Sequence, residues 1–285
     1  MALTVIGLSI GLLLFLLAAG LTLIFGLLGV INFAHGAFYM FGAYLGYQLV
    51  GWTGSFWVAL LLVPFIVAPA GALIERLLLR PLYARPHAQQ LVMTFGMILV
   101  LQEIVRIFWG LDYLRVIQPS VLAGTTDIAG SPIGNYRLFV CAVASLLAVA
   151  LLAALEKSSL GATIRAAASN ANMLSCLGGN VDRLRMWTFG GGTALAAFAG
   201  VLVAPLVPLD SSMAVTIIVD CFVVIVLGGL GNVRGAIMAA LLVGLLRAYG
   251  QQFASEWVDV ATYGLLICTL LVRPAGLFNR RTRTT

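Results

Sequence analysis

Apolar residues run along this chain in blocks of about twenty, separated by short polar or glycine- and proline-bearing breaks. A helix needs roughly 20 residues to cross about 30 Å of hydrocarbon, so each block has the length of a membrane span. The blocks predict spans near 5–28, 32–50, 56–78, 91–110, 136–155, 186–207, 214–230, 235–252 and 257–273. Period-two alternation is absent, which argues against a porin-like barrel. The predicted fold class is therefore an all-α polytopic membrane protein of about 8–9 transmembrane helices, forming a single transmembrane domain over residues 1–285. Pro64, Pro69, Pro205 and Pro208 fall at membrane depth, where they remove backbone donors and can kink or break helices.

Composition agrees with the pattern: 62% of residues are hydrophobic, 9% are charged, and mean hydropathy is +1.08. Charge then sets an expected orientation. With the carboxyl terminus cytoplasmic, Arg76, Arg80, Arg85, Lys157, Arg165, Arg183, Arg185, Arg234, Arg273, Arg280, Arg281 and Arg283 lie inside. Arg106, Arg115, Arg137 and Arg247 are left outside or near that face, a split of 12 to 4 among the 16 basic residues. That asymmetry follows the positive-inside rule and predicts an amino terminus outside. Residues 1–20 contain no Lys or Arg and so lack the basic start of a cleaved signal; they read as a retained first span. The external loop at 111–135 carries Pro119, Gly124, Gly130, Pro132 and Gly134, which favour turns over helix. Trp52, Trp57, Trp109 and Trp257 fall near predicted outer boundaries and read as interface anchors. Nothing supports a nucleic-acid role.

One polar, net-basic island, 156–185, interrupts the apolar pattern on the cytoplasmic side. It holds Lys157, Arg165, Arg183 and Arg185 against Glu156 and Asp182, with small residues between. A membrane protein that keeps such a segment in water has a surface with which to touch a soluble partner. The chain has no GxxxxGK[ST] nucleotide loop: Lys157 is the only lysine, and Glu156 precedes it where that loop needs glycine. HExxH, GxSxG and Cys/His metal clusters are absent too, so no catalytic residue and no metal site is predicted. Cys141, Cys176, Cys221 and Cys268 have no CxxC spacing and read as small hydrophobes.

Ionisable groups inside spans are costly and mark function by default. Glu103 and Asp220 are the two carboxylates placed there; Glu103 has Arg106 three residues on, on the same helical face. Asp220 faces either a polar cavity or a helix neighbour. Asn32 is placed to cap the second span, where a helix amino terminus offers donors to a carboxylate, and His35 is suited to fix helix packing. Gly42 and Gly46 form a small-xxx-small pair for close helix approach. The series Leu28, Gly29, Asn32, Gly36, Ala37 is echoed by Leu230, Gly231, Asn232, Gly235, Ala236.

The run Gly20-Leu-Thr-Leu-Ile-Phe-Gly-Leu-Leu-Gly-Val-Ile-Asn32-Phe-Ala-His35-Gly36-Ala-Phe-Tyr-Met-Phe-Gly42-Ala-Tyr44 resembles the opening of LivH-type permeases of branched-chain amino acid ABC importers. Arg76 through Pro81, Thr94, Gly96, Gln102, the run Gly161-Ala-Thr-Ile-Arg165-Ala166-Ala, Leu177-Gly178 and Leu227-Gly-Gly-Leu-Gly231 extend the likeness over nearly the whole chain. The resemblance implies a permease subunit in a bacterial inner membrane. Its partners would be a LivM-like second permease, two cytoplasmic ATPases binding ATP and magnesium, an external solute-binding protein and membrane lipid. This chain itself would need no cofactor. The island would contain the helix that couples to an ATPase, with Gly161, Arg165, Ala166, Asn170, Asn172, Leu177 and Gly178 at the contact. Asn32, His35, Gly36 and Asp220 would belong to the translocation path. The segment 169–176 is uncharged here, whereas this family usually carries more charge after the Arg-Ala pair. The competing expectation is an ion-coupled secondary carrier or channel that uses Asp220 and Glu103.

Overall fold

A computed structural model describes residues 1–128 and 130–278; Arg280, Arg281 and Arg283 of the predicted inner set lie outside these. Its α-helices are α1 (Ala2–Leu28), α2 (His35–Thr53), α3 (Phe56–Ile74), α4 (His87–Trp109), α5 (Asn135–Lys157), α6 (Ser159–Ser169), α7 (Ala171–Cys176), α8 (Val181–Val203), α9 (Met213–Gly228), α10 (Val233–Phe253) and α11 (Val258–Val272). Among the described residues, seven helical stretches are long and apolar enough to cross a membrane: α1, α3 with its continuation to Leu82, α4, α5, α8, α10, and Ser255–Val272, which contains α11. Each predicted span has a helical counterpart. The two that fall short are α2, whose apolar run is diluted by Tyr39, Tyr44, Tyr47 and Gln48, and α9, which has only 16 residues.

The two helices also share an unusual starting point. His35, the first residue of α2, hydrogen-bonds through Nε2 to the Leu17 carbonyl at 3.0 Å. Leu17 precedes the end of α1 by three turns, so α2 starts about 16 Å inward from that end at 1.5 Å per residue. Gly36 packs so tightly on the Ala214 carbonyl of α9 that a Cβ would lie 2.1 Å from it. Both helices therefore start inside the bundle, side by side. The segment 204–212 leads into α9 without regular helix and carries Pro205 and Pro208. Its backbone is satisfied by protein, the condition for irregular chain at depth: Gln102 donates to the Ser211 carbonyl at 2.7 Å, and Leu209 and Leu114 exchange backbone hydrogen bonds of 2.8 and 3.1 Å. Pro205 and Pro208 thus lie where α8 gives way to irregular chain; Pro64 and Pro69 instead sit inside α3, which passes into a π-helical turn at Glu75–Leu79.

Packing is led by small residues, because lipid offers no hydrophobic drive for helices to associate and close contact must supply the attraction. Buried α1 lies between α8 and α10, with Gly20 against the Gly192 carbonyl and Gly11 against Ala240 and Leu241. Gly42 sits on Ala197 as the small-residue spacing predicted; Gly46 follows on Val201.

The helix ends gather at two poles. One, the connector pole, carries α6, α7 and the turns near 75–87 and 228–233, tied by Arg80–Asp182 and Arg234–Glu156 ion pairs and by the Leu277 N–H donating to the Leu227 carbonyl. The other carries the loop 111–135, which contains an unexpected two-stranded antiparallel hairpin, Thr125–Ile128 with Ser131–Gly134.

Candidate translocation cavity and connector surface

A cavity of about 660 Å³ opens between α1, α9, α10 and α11 and reaches Tyr39 of α2. Leu13, Leu14, Val203 and Ile217 give it apolar walls, while Asp220, Arg247 and Asp259 supply charge. Asp220 is nearly sealed, its side chain 3% exposed. Arg247 Nη2 donates to Asp220 Oδ1 at 2.5 Å and to Asp259 Oδ1 at 3.4 Å. The guanidinium Nε is buried with no partner among the described residues. A buried carboxylate is tolerated where a cation completes it, and here that cation comes from a helix turn assigned by sequence to the outer face. Glu103 is elsewhere: it is exposed and pairs with Arg106 at 3.3 Å, away from the Asp220 cavity.

The other residues that the sequence assigned to a path are packed rather than open. Asn32 and His35 are fully buried. Asn32 does not cap α2, whose N-cap is Ala34; its Oδ1 accepts the Ala34 N–H at 3.1 Å, turning the chain one step before the helix starts. The echo partner Asn232 does cap, accepting the Gly235 N–H at 3.1 Å. Gly231 of that second series faces Gly26 of α1, where a Cβ added to either glycine would lie 3.5–3.6 Å from the Cα of the other. Trp109 is half-buried and donates to Gln48 Oε1 at 3.0 Å, so it joins α4 to α2 and is not a free interface anchor.

The connector between α5 and α8 is a helix pair. Ser158 Oγ accepts the Gly161 N–H, Asn170 Oδ1 that of Met173, and Asn180 Oδ1 that of Arg183, so each helix in turn has a polar cap. Three predicted contact residues thus shape the connector: Gly161 is pressed on the Leu155 carbonyl, Asn170 caps α7, and Gly178 ends it at φ +84°. Arg165, Ala166, Asn172 and Leu177 are exposed. Arg165 also borders a cavity of about 510 Å³ beside Glu156 and Arg234. Leu160, Met173 and Leu177 present apolar side chains, Leu177 80% exposed, on a segment between two spans.

The family described as "Branched-chain amino acid transport system / permease component" matches residues 3–270. The chain belongs to that family. The permease is 32% identical to the high-affinity branched-chain amino acid transport system permease protein BraD of Pseudomonas aeruginosa over 96% of this chain and 94% of that protein. It is 32% identical to LivH of Escherichia coli (strain K12), with the same coverage. It also matches LivM of Escherichia coli (strain K12), at 26% identity over 92% of this chain and 67% of that protein. No solved structure matches it.

Sequence reasoning missed one joint of this multi-pass permease. Glu75 in the π-helical turn is buried and accepts from Tyr83 Oη at 2.5 Å, while its Oε2 has no partner among the described residues. Burial, with Glu75 beside it, pushes the Tyr83 phenol well above its ordinary range. Arg185 stacks 5.0 Å from the Tyr83 ring centroid, and Arg80 pairs with Asp182. The start of α8, where the connector ends, is thereby fastened to the end of α3. Arg76 through Pro81 signals the family, yet side-chain partners about a hundred positions away leave no periodic trace.

Proposed function

We propose that this permease forms one half of the translocation path of an ATP-driven importer for branched-chain or related amino acids in a bacterial inner membrane. Its hairpin pole and amino terminus face outward, toward a solute-binding protein, and its connector pole faces the cytoplasm. A LivM-like permease completes the path, and two ATPase chains, holding ATP and magnesium, supply the energy. The observation that carries the reading is the connector: a capped helix pair between two long apolar helices, with the apolar side chains of Leu160, Met173 and Leu177 exposed on a polar segment. Exposed apolar side chains of that kind mark a docking site. Residues 156–185 then act as the coupling element, with Arg165, Ala166, Asn172 and Leu177 at its surface and the Tyr83–Glu75 joint passing its displacement to α3. A partner moves such an element only through contacts that differ between its two states, so docking and transport must fail together.

The test is reconstitution with the ATPases, second permease and binding protein. Uptake requires all of them and ATP, and Leu177→Asp lowers ATPase association while the permease still inserts. Uptake by this chain alone on an ion gradient would sink the reading. The carrier alternative draws on Asp220, whose carboxylate lies in the cavity, but Arg247 holds that carboxylate and Glu103 stands apart. Under the importer reading, Asp220→Asn retains ATP-driven uptake, with any loss falling on KM; complete loss of uptake in a normally assembled complex would favour the carrier.

A further inference from the structure

We propose that the cavity between α1, α9, α10 and α11 binds an α-amino acid as its zwitterion, with the carboxylate on Arg247, the ammonium on Asp259 in the field of Asp220 behind it, and an aliphatic side chain on the apolar wall. This rests on the permease reading above and names the ligand chemistry of a site inside it.

The charges are matched to that ligand. Two carboxylates share one guanidinium, so an ammonium group meets a surplus of negative charge. Arg247 spends one nitrogen, Nη2, on both aspartates, and its side chain, 23% exposed, lines the cavity. A guanidinium has five donors in a planar fork suited to a carboxylate, so this one has hydrogen-bonding capacity left over. Asp259, whose side chain is 72% exposed, stands where an incoming cation meets it before the sealed Asp220. Ile10, Leu13, Leu14 and Ile217 also line the cavity; they take a hydrocarbon side chain and offer nothing to a charged one. The volume, about 660 Å³, falls in the range of small-molecule sites and leaves room for water beside the ligand. Tyr39 and Tyr263 also line the space, and their hydroxyl groups can serve as further donors.

The experiment uses the full chain in lipid nanodiscs and measures equilibrium binding of labelled L-leucine. Leucine methyl ester, which lacks the carboxylate, and 4-methylpentanoate, which lacks the ammonium, are the competitors. Losing one charge-assisted contact should weaken each by about tenfold or more relative to leucine. Asp259→Asn changes an exposed group and is compatible with folding; it should weaken leucine and leave 4-methylpentanoate unchanged. The pair Asp220→Asn with Arg247→Gln should narrow the gap between leucine and its ester. Ile217→Trp fills the wall without touching the charges and should abolish binding. Absence of leucine binding to the parent chain, equal competition by either analogue, or parental binding by Ile217→Trp would each overturn the proposal. Uptake by the assembled importer separates the two levels. Parental KM in Asp259→Asn and Ile217→Trp removes this site and leaves the permease reading intact, whereas an assembled parent that takes up no amino acid removes the permease reading itself.

Discussion

A Cβ at Gly42 would lie 2.3 Å from the Ala197 carbonyl oxygen, so α2 and α8 touch only because that position has no side chain. Gly42→Val should therefore lower stability by about 1–3 kcal/mol or more, the cost of overpacking, read as an earlier thermal unfolding in detergent. Gly51, on the same helix, has nothing within 4 Å, and Gly51→Ala should hold or raise stability by about 0.5–1 kcal/mol. Equal effects at the two sites would contradict the packing. The Arg247–Asp220 pair makes a second case at this scale. Arg247→Ala strands a buried carboxylate and should cost about 3–5 kcal/mol, while Asp220→Asn with Arg247→Gln removes both charges and should recover most of the loss. Additive effects in unfolding measurements would mean that the two groups do not interact. Asp220 and its surroundings were legible as a functional candidate, since a lone carboxylate in an apolar helix must find a partner. The identity of that partner, 27 positions away on another helix, was not.

Among elements, the connector was the easiest to find and the joint behind it the hardest. Its polarity between apolar spans isolates it, and Ser158, Asn170 and Asn180 precede their helices as cap residues should. Arg165→Glu reverses a charge on the connector and brings it beside Glu156, so it should reduce ATPase association without preventing insertion; co-purification of the ATPase measures this, and parental recovery would count against docking there. Tyr83→Phe tests the joint. Losing the only donor given to Glu75 among the described residues leaves a buried carboxylate unsatisfied, a cost of about 1–3 kcal/mol, and should uncouple ATP hydrolysis from uptake while ATPase binding persists. Coupled transport at the parental ratio would exclude a transmitting role.

At the scale of the whole molecule, the two poles make orientation testable with a native residue. Cys176 is exposed on the connector, so a membrane-impermeant maleimide should reach it only when the cytoplasmic face is opened. Labelling in intact cells would invert the proposed topology and with it the docking of the ATPases.

Hydropathy alone determined that this chain is a set of apolar, span-length helices interrupted by one polar island, because backbone at membrane depth must satisfy itself locally and each span declares its own length. Depth and partnership were decided only by the tertiary structure. A residue's composition does not state how far along a neighbouring helix it will meet its match. Thus the contacts of His35 with Leu17 and of Gly36 with Ala214, which start α2 and α9 inside the bundle, arise from packing between distant segments. The same packing gathers Asp220, Arg247 and Asp259 around one cavity.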